Sequence, residues 1–279
     1  MQITENQFYV LGARGSTPVS GHAFLKHGGS TTCFACLSDG RLIIIDAGTG
    51  ISRIAGQVGN FDGIDSITLF FTHFHMDHLI GLPDFLSSCP RRLPLTMMAD
   101  PDRPTGWRTD LTAFIGKPYW PVGLTDTYST VNYRDLPGDT DGLAIGSAHI
   151  SWMNVPHPQQ CLAYRIALSQ KVIAIATDAE YTADSLDGAF LDFCRDSHVL
   201  VFDAQYTDRE YADRHGWGHS TWRTAAACAR MAHAGQLVLT HHDPERTDTE
   251  LEEIEKAAQA EFRNTSCASE NTVLCPSNE

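Results

Sequence analysis

Four metal-ligand side chains fall within six residues directly after a predicted β-strand. The apolar run Ile67–Phe71 is followed by Thr-His-Phe-His-Met-Asp-His, and an apolar helical pattern comes next. At the spacing of an extended strand, His73 and His75 point to the same side of the chain. The chain then turns, so Asp77 and His78 can point toward a second position nearby. Imidazole and carboxylate both bind first-row divalent metals, zinc included. The segment therefore predicts a metal site, and it suits two ions better than one.

Three later residues repeat one local pattern, in which a metal-ligand residue type ends an apolar run. They are His157, Asp178 and His241. Taken alone, such a residue is more often a satisfied surface or core group than a ligand. Because a dinuclear site needs more ligands than the first segment supplies, we expect all three to converge on it.

The distribution of apolar runs predicts an α/β fold. Strands are expected at Phe8–Leu11, Cys33–Leu37, Leu42–Ile45, Ile67–Phe71, Leu93–Met98, Ile150–Val155, Ala163–Leu168, Val172–Ala176, Val199–Phe202 and Leu237–Leu239. Asp39-Gly40 predicts a hairpin turn between two of them. Helices are expected at His78–Ser88, Tyr181–Asp196, Ser220–Ala234 and Asp248–Phe262. This mixture predicts packed sheets with helices covering their outer faces.

The length of the chain is consistent with one domain over residues 1–279. The stretch from about residue 100 to 146 is rich in proline, glycine and aromatic residues, among them Trp107, Tyr119, Trp120 and Tyr128. It predicts a loop-rich insert that either acts as a lid or packs on the surface. The tail over residues 264–279 is rich in serine, threonine and asparagine, and we expect it to fray.

The net charge and the cysteines limit which binding partners and which cellular compartment are expected. Lysine and arginine total 20 against 34 aspartates and glutamates, for a net charge of −14. Such a chain repels the phosphates of long nucleic acids and of an anionic membrane. No apolar run approaches about 18 residues and no signal-like N-terminal segment is evident, so a cytoplasmic protein is expected. Cys33 and Cys36 could form a redox or zinc pair, but no second pair follows and a strand directs them to opposite faces. We therefore expect ordinary buried thiols.

The order of the ligand types resembles the metallo-β-lactamase superfamily, over nearly the whole chain. The matching residues are His73-x-His75-x-Asp77-His78, then His157, Asp178 and His241. The resemblance implies a four-layer αβ/βα sandwich with two divalent metal ions at one edge, with Zn²⁺ the first choice and Mn²⁺ the second. It assigns His73, His75 and His157 to one ion, Asp77, His78 and His241 to the other, and Asp178 to a bridge. It also implies that Asp46, in the turn after Leu42–Ile45, supports the ligand loop.

A second motif narrows the branch of the superfamily. Gly218-His219-Ser220-Thr221, at the start of a predicted helix, resembles the Gly-His-Ser-Thr motif of ribonuclease Z and related phosphodiesterases. The early glycine-rich segment from Gly12 to Gly21 resembles the small-molecule phosphodiesterases, including phosphoribosyl 1,2-cyclic phosphate hydrolases, and Asp203 matches an acidic position there. The likeness implies a catalytic His219 with Ser220 and Thr221 near the substrate, although helix capping explains the latter two as well. His215 and Trp217, just before the motif, are further candidates to line the pocket.

Several positions depart from individual branches. His75 replaces the glutamate of the redox-active di-iron members, and Asp178 replaces the cysteine of many β-lactamases, so neither reaction is expected. The interval between His157 and Asp178 holds one hairpin and has no room for the arm with which ribonuclease Z enzymes grip tRNA. No cysteine follows Gly21, where cyclic-phosphate hydrolases of phosphonate metabolism carry a zinc site. The glycine-rich segment Lys26–Thr32 could bring backbone N–H groups near a phosphate.

These features predict a dinuclear-metal phosphodiesterase that hydrolyses a small phosphodiester or cyclic phosphate, of the cyclic nucleotide or phosphoribosyl class. Two metal ions would share a bridging hydroxide that attacks phosphorus, and His219 would protonate the leaving oxygen. Asp77 is assigned both a ligand role and a catalytic role. An ester, thioester or lactone hydrolase on the same metal core is the alternative. The expected partner is a small anionic substrate, and a homodimer is compatible with the family.

Overall fold

Two β-sheets of seven strands each form the centre of the part of the chain that the structure describes. This computed structural model describes residues 3–57, 61–102, 106–124, 131–138, 142–270 and 272–274. The strands are β1 (Phe8–Gly12), β2 (Cys33–Ser38), β3 (Arg41–Ile45), β4 (Ser66–Phe70), β5 (Leu95–Ala99), β6 (Val131–Asp135), β7 (Leu143–Ile145), β8 (Ala148–Val155), β9 (Cys161–Leu168), β10 (Lys171–Ala176), β11 (Val199–Asp203), β12 (Leu237–Thr240), β13 (Thr265–Cys267) and β14 (Thr272–Leu274). Their order is β14-β1-β2-β3-β4-β5-β6 in the first sheet and β13-β12-β11-β10-β9-β8-β7 in the second.

Helices cover the outer faces of both sheets. They are α1 (Arg53–Gln57), α2 (Leu82–Ser88), α3 (Trp107–Phe114), α4 (Gly188–Cys194), α5 (Asp208–Tyr211), α6 (Trp222–Met231) and α7 (Asp248–Glu261). Phe85 of α2 and Trp107 of α3 join the apolar outer face of the first sheet, and Phe190 of α4 joins that of the second. The inner faces pack on each other, for example through Phe70 and Tyr164, whose ring centroids are 5.6 Å apart. The predicted four-layer αβ/βα sandwich is therefore confirmed.

The cysteines of β2 follow the alternation of the strand. Cys33 belongs to the outer core of the first sheet, and Cys36 belongs to the core between the sheets. Burial raises the pKa of both thiols well above the ordinary cysteine value. The prediction that these two residues are buried thiols on opposite faces is confirmed.

The predicted strands all occur, but four strands were not predicted. These are β6, β7, β13 and β14, and they form the outer edges of the two sheets. The expected fraying of the tail is wrong for residues 265–267 and 272–274, because β13 pairs with β12 and β14 pairs with β1. Residues 271 and 275–279 lie outside the described part of the chain. The missed strands are short and partly polar, so neighbouring strands stabilise them more than their own pattern does.

The segment expected to be a loop-rich insert contains α3, β6 and β7. Trp107 is 2% exposed, and its indole N–H donates a hydrogen bond of 2.8 Å to Asp135. In the described part of the segment, α3 and β6 therefore pack on the first sheet and β7 joins the second, which is the surface-packing alternative. Tyr119 is exposed, and Tyr128 lies outside the described residues. Within the described residues, none of the helices has the length and apolar character needed to cross a membrane.

Parallel pairing brings the polar strand ends together. In the first sheet β3, β4 and β5 run parallel, and in the second β10, β11 and β12 do. The carboxyl ends of parallel neighbours share one edge of their sheet. The two edges meet at the site, where His78 Nε2 lies 3.2 Å from Asp178 Oδ2.

Candidate metal centre

The seven proposed ligands converge from both sheets into overlapping groups. Within each group the potential ligand atoms all lie within 4.8 Å of one another. The first group is His73, His75, His157 and Asp178, the second is Asp77, His78 and His241, and the third is Asp178, Asp203, His219 and His241. Because Asp178 and His241 are shared, the groups form one continuous cluster. The structure thus brings together every residue that the sequence predicts as a ligand.

Three residues of the site leave their strands through a left-handed backbone conformation. Asp46 follows β3 with a φ of 63°, Asp178 follows β10 with 54°, and His241 follows β12 with 58°. This conformation costs about 1–3 kcal/mol for a residue other than glycine, although aspartate and histidine are among the residue types found there most often. It turns each side chain sharply out of its sheet and toward the cluster. Such local strain is typical of functional sites.

At the centre of the cluster, histidine ring nitrogens lie close to carboxylate oxygens and to one another, and not all of these nitrogens have a hydrogen-bond partner. His241 Nε2 lies 3.2 Å from Asp77 Oδ2 and 3.2 Å from Asp178 Oδ1. Among the described residues, the buried His73 Nε2 has no hydrogen-bond partner, and His78 Nε2 lies 3.3 Å from Asp77 Oδ2 and 3.2 Å from Asp178 Oδ2 without a well-aligned hydrogen bond. His75 Nδ1 lies 3.2 Å from His157 Nε2, so two ring nitrogens point at each other. Lone pairs and carboxylate oxygens that converge in this way suit divalent cations.

Hydrogen bonds from outside the cluster orient its histidines. His78 Nδ1 lies 2.8 Å from Asp46 Oδ2, His157 Nδ1 lies 3.0 Å from the carbonyl of Gly218, and His241 Nδ1 lies 2.9 Å from Gln205 Oε1. Each Nδ1–H donates to an oxygen, so each Nε2 is directed into the cluster, where it can offer a lone pair to a cation once any proton on it is displaced. Asp46 supports the ligand loop, as expected. No pattern in the sequence indicated a role for Gln205.

The Asp46 carboxylate also holds the ligand loop by accepting hydrogen bonds from Thr72, the residue before His73. Thr72 donates both its N–H and its hydroxyl to the Asp46 carboxylate, each at 2.8 Å. The same hydroxyl lies 3.0 Å from His73 Nδ1. Asp46 therefore influences both His73 and His78.

Burial and neighbouring charges set the protonation of the metal-free cluster. Burial lowers the pKa of His73 well below the ordinary histidine value. Burial also opposes a charge on His241, but Asp178, Asp203 and Asp77 raise its pKa to about 9. The pKa of Asp178 is held well below its usual range by His241 and other imidazoles, against the effect of burial. The carboxylates are therefore ionised, and protons occupy positions that a cation could take.

His219 is held at the border of the cluster by Asp203. Its Nδ1 lies 2.9 Å from Asp203 Oδ2, and its ring stacks on His241 with centroids 4.7 Å apart. Asp203 also accepts the backbone N–H groups of Asp178 and Ser220, each at 3.0 Å. The carboxylate therefore fixes the ring plane of His219 and leaves Nε2 to point away from Asp203.

Ser220 and Thr221 differ from their predicted role as substrate contacts. The Ser220 side chain is fully buried, and its hydroxyl accepts from the N–H of Tyr181 and donates to the carbonyl of Ala179. Thr221 is the N-cap of α6 and accepts from the N–H of Thr224. The Thr221 hydroxyl therefore caps the helix, which is the capping alternative, whereas the Ser220 hydroxyl ties the start of the helix to the segment Ala179–Tyr181. His215 is exposed and lines a cavity of about 530 Å³ beside His157.

Glu180 is a residue of the site that the sequence did not reveal. Its carboxylate accepts the N–H of Gly216 at 2.6 Å, the N–H of Gly218 at 2.7 Å and the hydroxyl of Tyr211 at 3.0 Å. Gly218 has a φ of 94°, and a Cβ there would lie 2.2 Å from His157 Nδ1. Glu180 therefore holds in place the glycine loop that orients His157 and leads to His219.

The glycine-rich segment Lys26–Thr32 does not offer a phosphate-binding loop. The N–H of Ser30 donates to Glu270 Oε1 at 2.6 Å, and the N–H of Thr31 donates to Thr49 Oγ1 at 2.8 Å. Because side chains of the protein already occupy these donors, the expectation that they approach a phosphate is wrong.

The fold and the converging histidines and aspartates define a metal-dependent hydrolase of the metallo-β-lactamase fold. A model of the beta-lactamase superfamily domain matches residues 41–242, and the chain belongs to that family. The probable metallo-hydrolase YhfI of Bacillus subtilis is 25% identical over 244 residues, which cover 83% of this chain and 85% of that protein. Ribonuclease Z of Lachnospira eligens is 25% identical over an aligned length of 283, and the match covers 84% of this chain and 86% of that enzyme.

Solved structures share the fold over almost the whole chain. The crystal structure of YhfI from Bacillus subtilis superposes with a TM-score of 0.73 at 18% identity, covering 96% of this chain and 98% of that one. A diphosphatase from the PhnP family superposes with a TM-score of 0.68 at 18% identity, covering 97% and 98%.

Proposed function

We propose that the chain is a dinuclear-metal phosphodiesterase that hydrolyses a small phosphodiester or cyclic phosphate. The observation that carries this proposal is the pair of His219 and Asp203 at the border of the cluster. A phosphodiester with an alkoxide leaving group needs a proton donor at that oxygen, and an imidazolium held by a carboxylate supplies one. The relatives support phosphate-ester chemistry, because one is named a ribonuclease Z and another a diphosphatase of the PhnP family.

We assign the ligands to two ions by their grouping in space. His73, His75 and His157 would hold the first ion, Asp77, His78 and His241 would hold the second, and Asp178 lies close to both sets. The donor set of neutral imidazoles and carboxylates accepts Zn²⁺, our first choice, and also Mn²⁺. Two divalent ions bound there would polarise the phosphoryl oxygens and would lower the pKa of a bound water toward neutrality.

The side chains of the protein supply the proton movements. His219 carries a proton on Nε2 and donates it to the leaving oxygen, while Asp203 stabilises the charged ring and keeps its orientation. Asp77 Oδ2 already accepts the N–H of Ser16 at 2.8 Å and faces His78 and His241. We propose that its other oxygen, Oδ1, would accept a hydrogen bond from the nucleophile and orient it, because His78 and His241 hold the pKa of Asp77 well below its usual range despite burial.

The acidic chain and the compact hairpin favour a small substrate. A net charge of −14 repels long nucleic acids. The strands β9 and β10 form a direct antiparallel hairpin between His157 and Asp178, which leaves no extended arm in that interval. A small anion bound by the two ions remains favourable because their charge acts locally.

We also propose a reducing cytoplasmic location and a homodimeric state. The location is supported by the described cysteines, which are all buried and free of disulfides. The dimer is an expectation from the family, and light scattering at micromolar concentration tests it.

A paired substrate assay tests the reaction class. We expect the metal-loaded protein to hydrolyse bis-nitrophenyl phosphate and to be nearly inactive on nitrophenyl acetate and on a simple lactone. Metal content is measured on the same sample, so that a missing ion is not mistaken for a missing activity. Hydrolysis of the ester or lactone alone would instead establish the alternative, an ester, thioester or lactone hydrolase on the same core.

A further inference from the structure

A second cavity, of about 580 Å³, lies between α5, the turn before Gly218 and the loop before α7. We call it the arginine cavity, because its lining includes Arg209, Arg214 and Arg246, together with Trp217 and the carboxylates of Glu210 and Asp213. Its volume is in the range of pockets that hold a small organic ligand. No role has been assigned to it in the reaction proposed above.

The charge of the arginine cavity is unusual for this chain. Arg246 is neutralised by Glu210, with Nη2 2.6 Å from Oε2. Arg209 and Arg214 form no ion pair with any residue that the structure describes, although the chain carries 34 acidic residues. Two unpaired guanidinium groups in one cavity favour an anion, and a guanidinium matches the geometry of a phosphate.

The cavity also presents an aromatic surface. Trp217 is 61% exposed, which is unusual for so large an apolar side chain. Its N–H donates to the carbonyl of Arg214 at 3.2 Å, so one turn carries both side chains. An exposed indole beside a guanidinium can stack on a planar heteroaromatic ring while the cation contacts a phosphate.

The arginine cavity adjoins the proton donor of the site. The guanidinium of Arg214 lies 5.1 Å from the ring centroid of Tyr206, and the ring of His219 lies 5.8 Å from the same centroid. Trp217 precedes His219 by two residues. The buried ring of Tyr206 lies between Arg214 and His219, so a ligand that extends from His219 would reach this cavity over the exposed side chain of Trp217.

From these contacts we infer that the arginine cavity binds the remote part of the substrate, and that this part is a nucleotide. Its base stacks on Trp217, and a phosphate group other than the one being hydrolysed contacts Arg209 and Arg214. A sugar phosphate has no ring for the indole, and a nucleoside has no anion for the two arginines. The inference rests on the proposed phosphodiesterase for the position of the reacting phosphate, but its binding part can be measured without turnover.

Calorimetric titration of the metal-loaded protein with three probes separates the contributions of the metal centre, the base and the second phosphate to the binding affinity. Inorganic phosphate reports the metal centre alone, adenosine 5′-monophosphate adds the base, and adenosine 3′,5′-bisphosphate adds a second phosphate. We expect each addition to strengthen binding about tenfold, the usual size of one stacked base or one charged hydrogen bond. The Trp217→Ala variant should lose the gain in affinity that the base contributes. The Arg209→Gln/Arg214→Gln variant should lose the gain that the second phosphate contributes. All variants should keep the parent affinity for inorganic phosphate, which shows that they are folded.

The Arg195→Gln variant is the matched control, because Arg195 is an exposed arginine that pairs with Asp192 at the end of α4. It should behave as the parent with all three probes. The inference is overturned if the bisphosphate binds no more tightly than the monophosphate, or if the double variant keeps the gain. It is also overturned if Trp217→Ala changes the mass in solution but no affinity, which would identify a subunit contact. Stepwise affinities without hydrolysis of bis-nitrophenyl phosphate would refute the proposed reaction and leave the nucleotide site standing.

Discussion

The two sheets supply their proposed ligands in different ways. The first sheet contributes four ligands from one continuous segment after β4, and Asp46 supports that segment as a whole. The second sheet contributes one ligand at each of three separate strand ends, and each has its own partner. The first set is therefore expected to respond as a unit, whereas ligands of the second set can be disturbed one at a time. Asp178 is the exception, because it contacts histidines of both sheets.

Asp178→Ala should have the largest effect, because it removes the carboxylate that joins the two sets. We expect loss of both ions and a fall in kcat/KM of about 10⁴-fold or more, since His78 and His241 lose their common partner. Metal content by mass spectrometry and hydrolysis of bis-nitrophenyl phosphate are measured together. Asp196→Ala is the control, because Asp196 is an exposed aspartate that also has a left-handed φ, of 52°. A variant of Asp178 that keeps two ions and the full rate contradicts the bridge.

His219→Ala should separate chemistry from metal binding. The ligands of both sheets remain, so we expect two ions per chain and a fall in kcat of about 10²–10⁴-fold on an alkyl phosphodiester. The loss should be smaller on a nitrophenyl diester, because nitrophenolate leaves without much help from an acid. His149→Ala, which changes an exposed histidine at the start of β8, the end of that strand away from His157, is the control. Equal losses on both leaving groups would argue against proton donation.

A pair of supporting residues tests the comparison of the sheets most directly. Asp46→Asn weakens the support of His78 and, through Thr72, of His73, so both ions should bind about 10–100-fold more weakly. Gln205→Ala removes the partner of His241 and a hydrogen bond to Ser16, which contacts Asp77 of the same proposed ion, so only one of two resolved binding steps should weaken by a similar factor. Zinc titration against a competing chelator resolves the steps. Equal behaviour of the two variants would show that the sheets do not differ in this way.

The affinity for metal should rise with pH. In the metal-free protein the pKa of His241 is raised to about 9, and the pKa of His78 is raised well above the ordinary histidine value by Asp178, Asp77 and Asp46, despite burial. Below those values a cation must displace the protons. Each displaced proton contributes about tenfold in apparent affinity per pH unit, and the contribution of His241 ends above about pH 9. Chelator competition between about pH 6 and pH 8 measures the slope, and a flat profile contradicts these proton positions.

Glu180→Gln should have the smallest effect. The amide retains one acceptor oxygen for the loop of Gly216 and Gly218 but loses the other, so the position of His219 relaxes without loss of a ligand. We expect kcat to fall about tenfold, KM to change little, and both ions to remain bound. Glu253→Gln, an exposed glutamate of α7, is the control. If the variant instead loses bound metal, Glu180 acts mainly by positioning the ligand His157 and not by positioning His219.

The sequence predicted the centre of the fold better than its borders. Every interior strand had enough apolar residues to be recognised, whereas β6, β7, β13 and β14 are edge strands whose short pattern gives little signal. These strands form because the neighbouring strand has unpaired backbone N–H and C=O groups to bond. The sequence of the edge strand itself contains no information about that neighbour.

The candidate site shows the same division between local and long-range information. The ligands within residues 73–78 could be recognised from their spacing, and the other ligands could be recognised from their positions at the ends of predicted strands. Gln205 and Glu180 could not be found in that way, because each acts on a residue distant in the chain. Ser220 was misassigned because a hydroxyl in a motif does not reveal whether it faces a substrate or a backbone carbonyl.

The left-handed backbone at Asp178 and His241 limits how the metal preference of this protein can be redesigned. Exchange of a ligand for cysteine or glutamate is the usual route to a new metal, but few residue types adopt a φ of 54° or 58° without strain. His75 has a φ of −68°, which all common ligand types tolerate. Engineering of metal selectivity should therefore begin at His75, on the first sheet, and leave the two left-handed ligands of the second sheet unchanged.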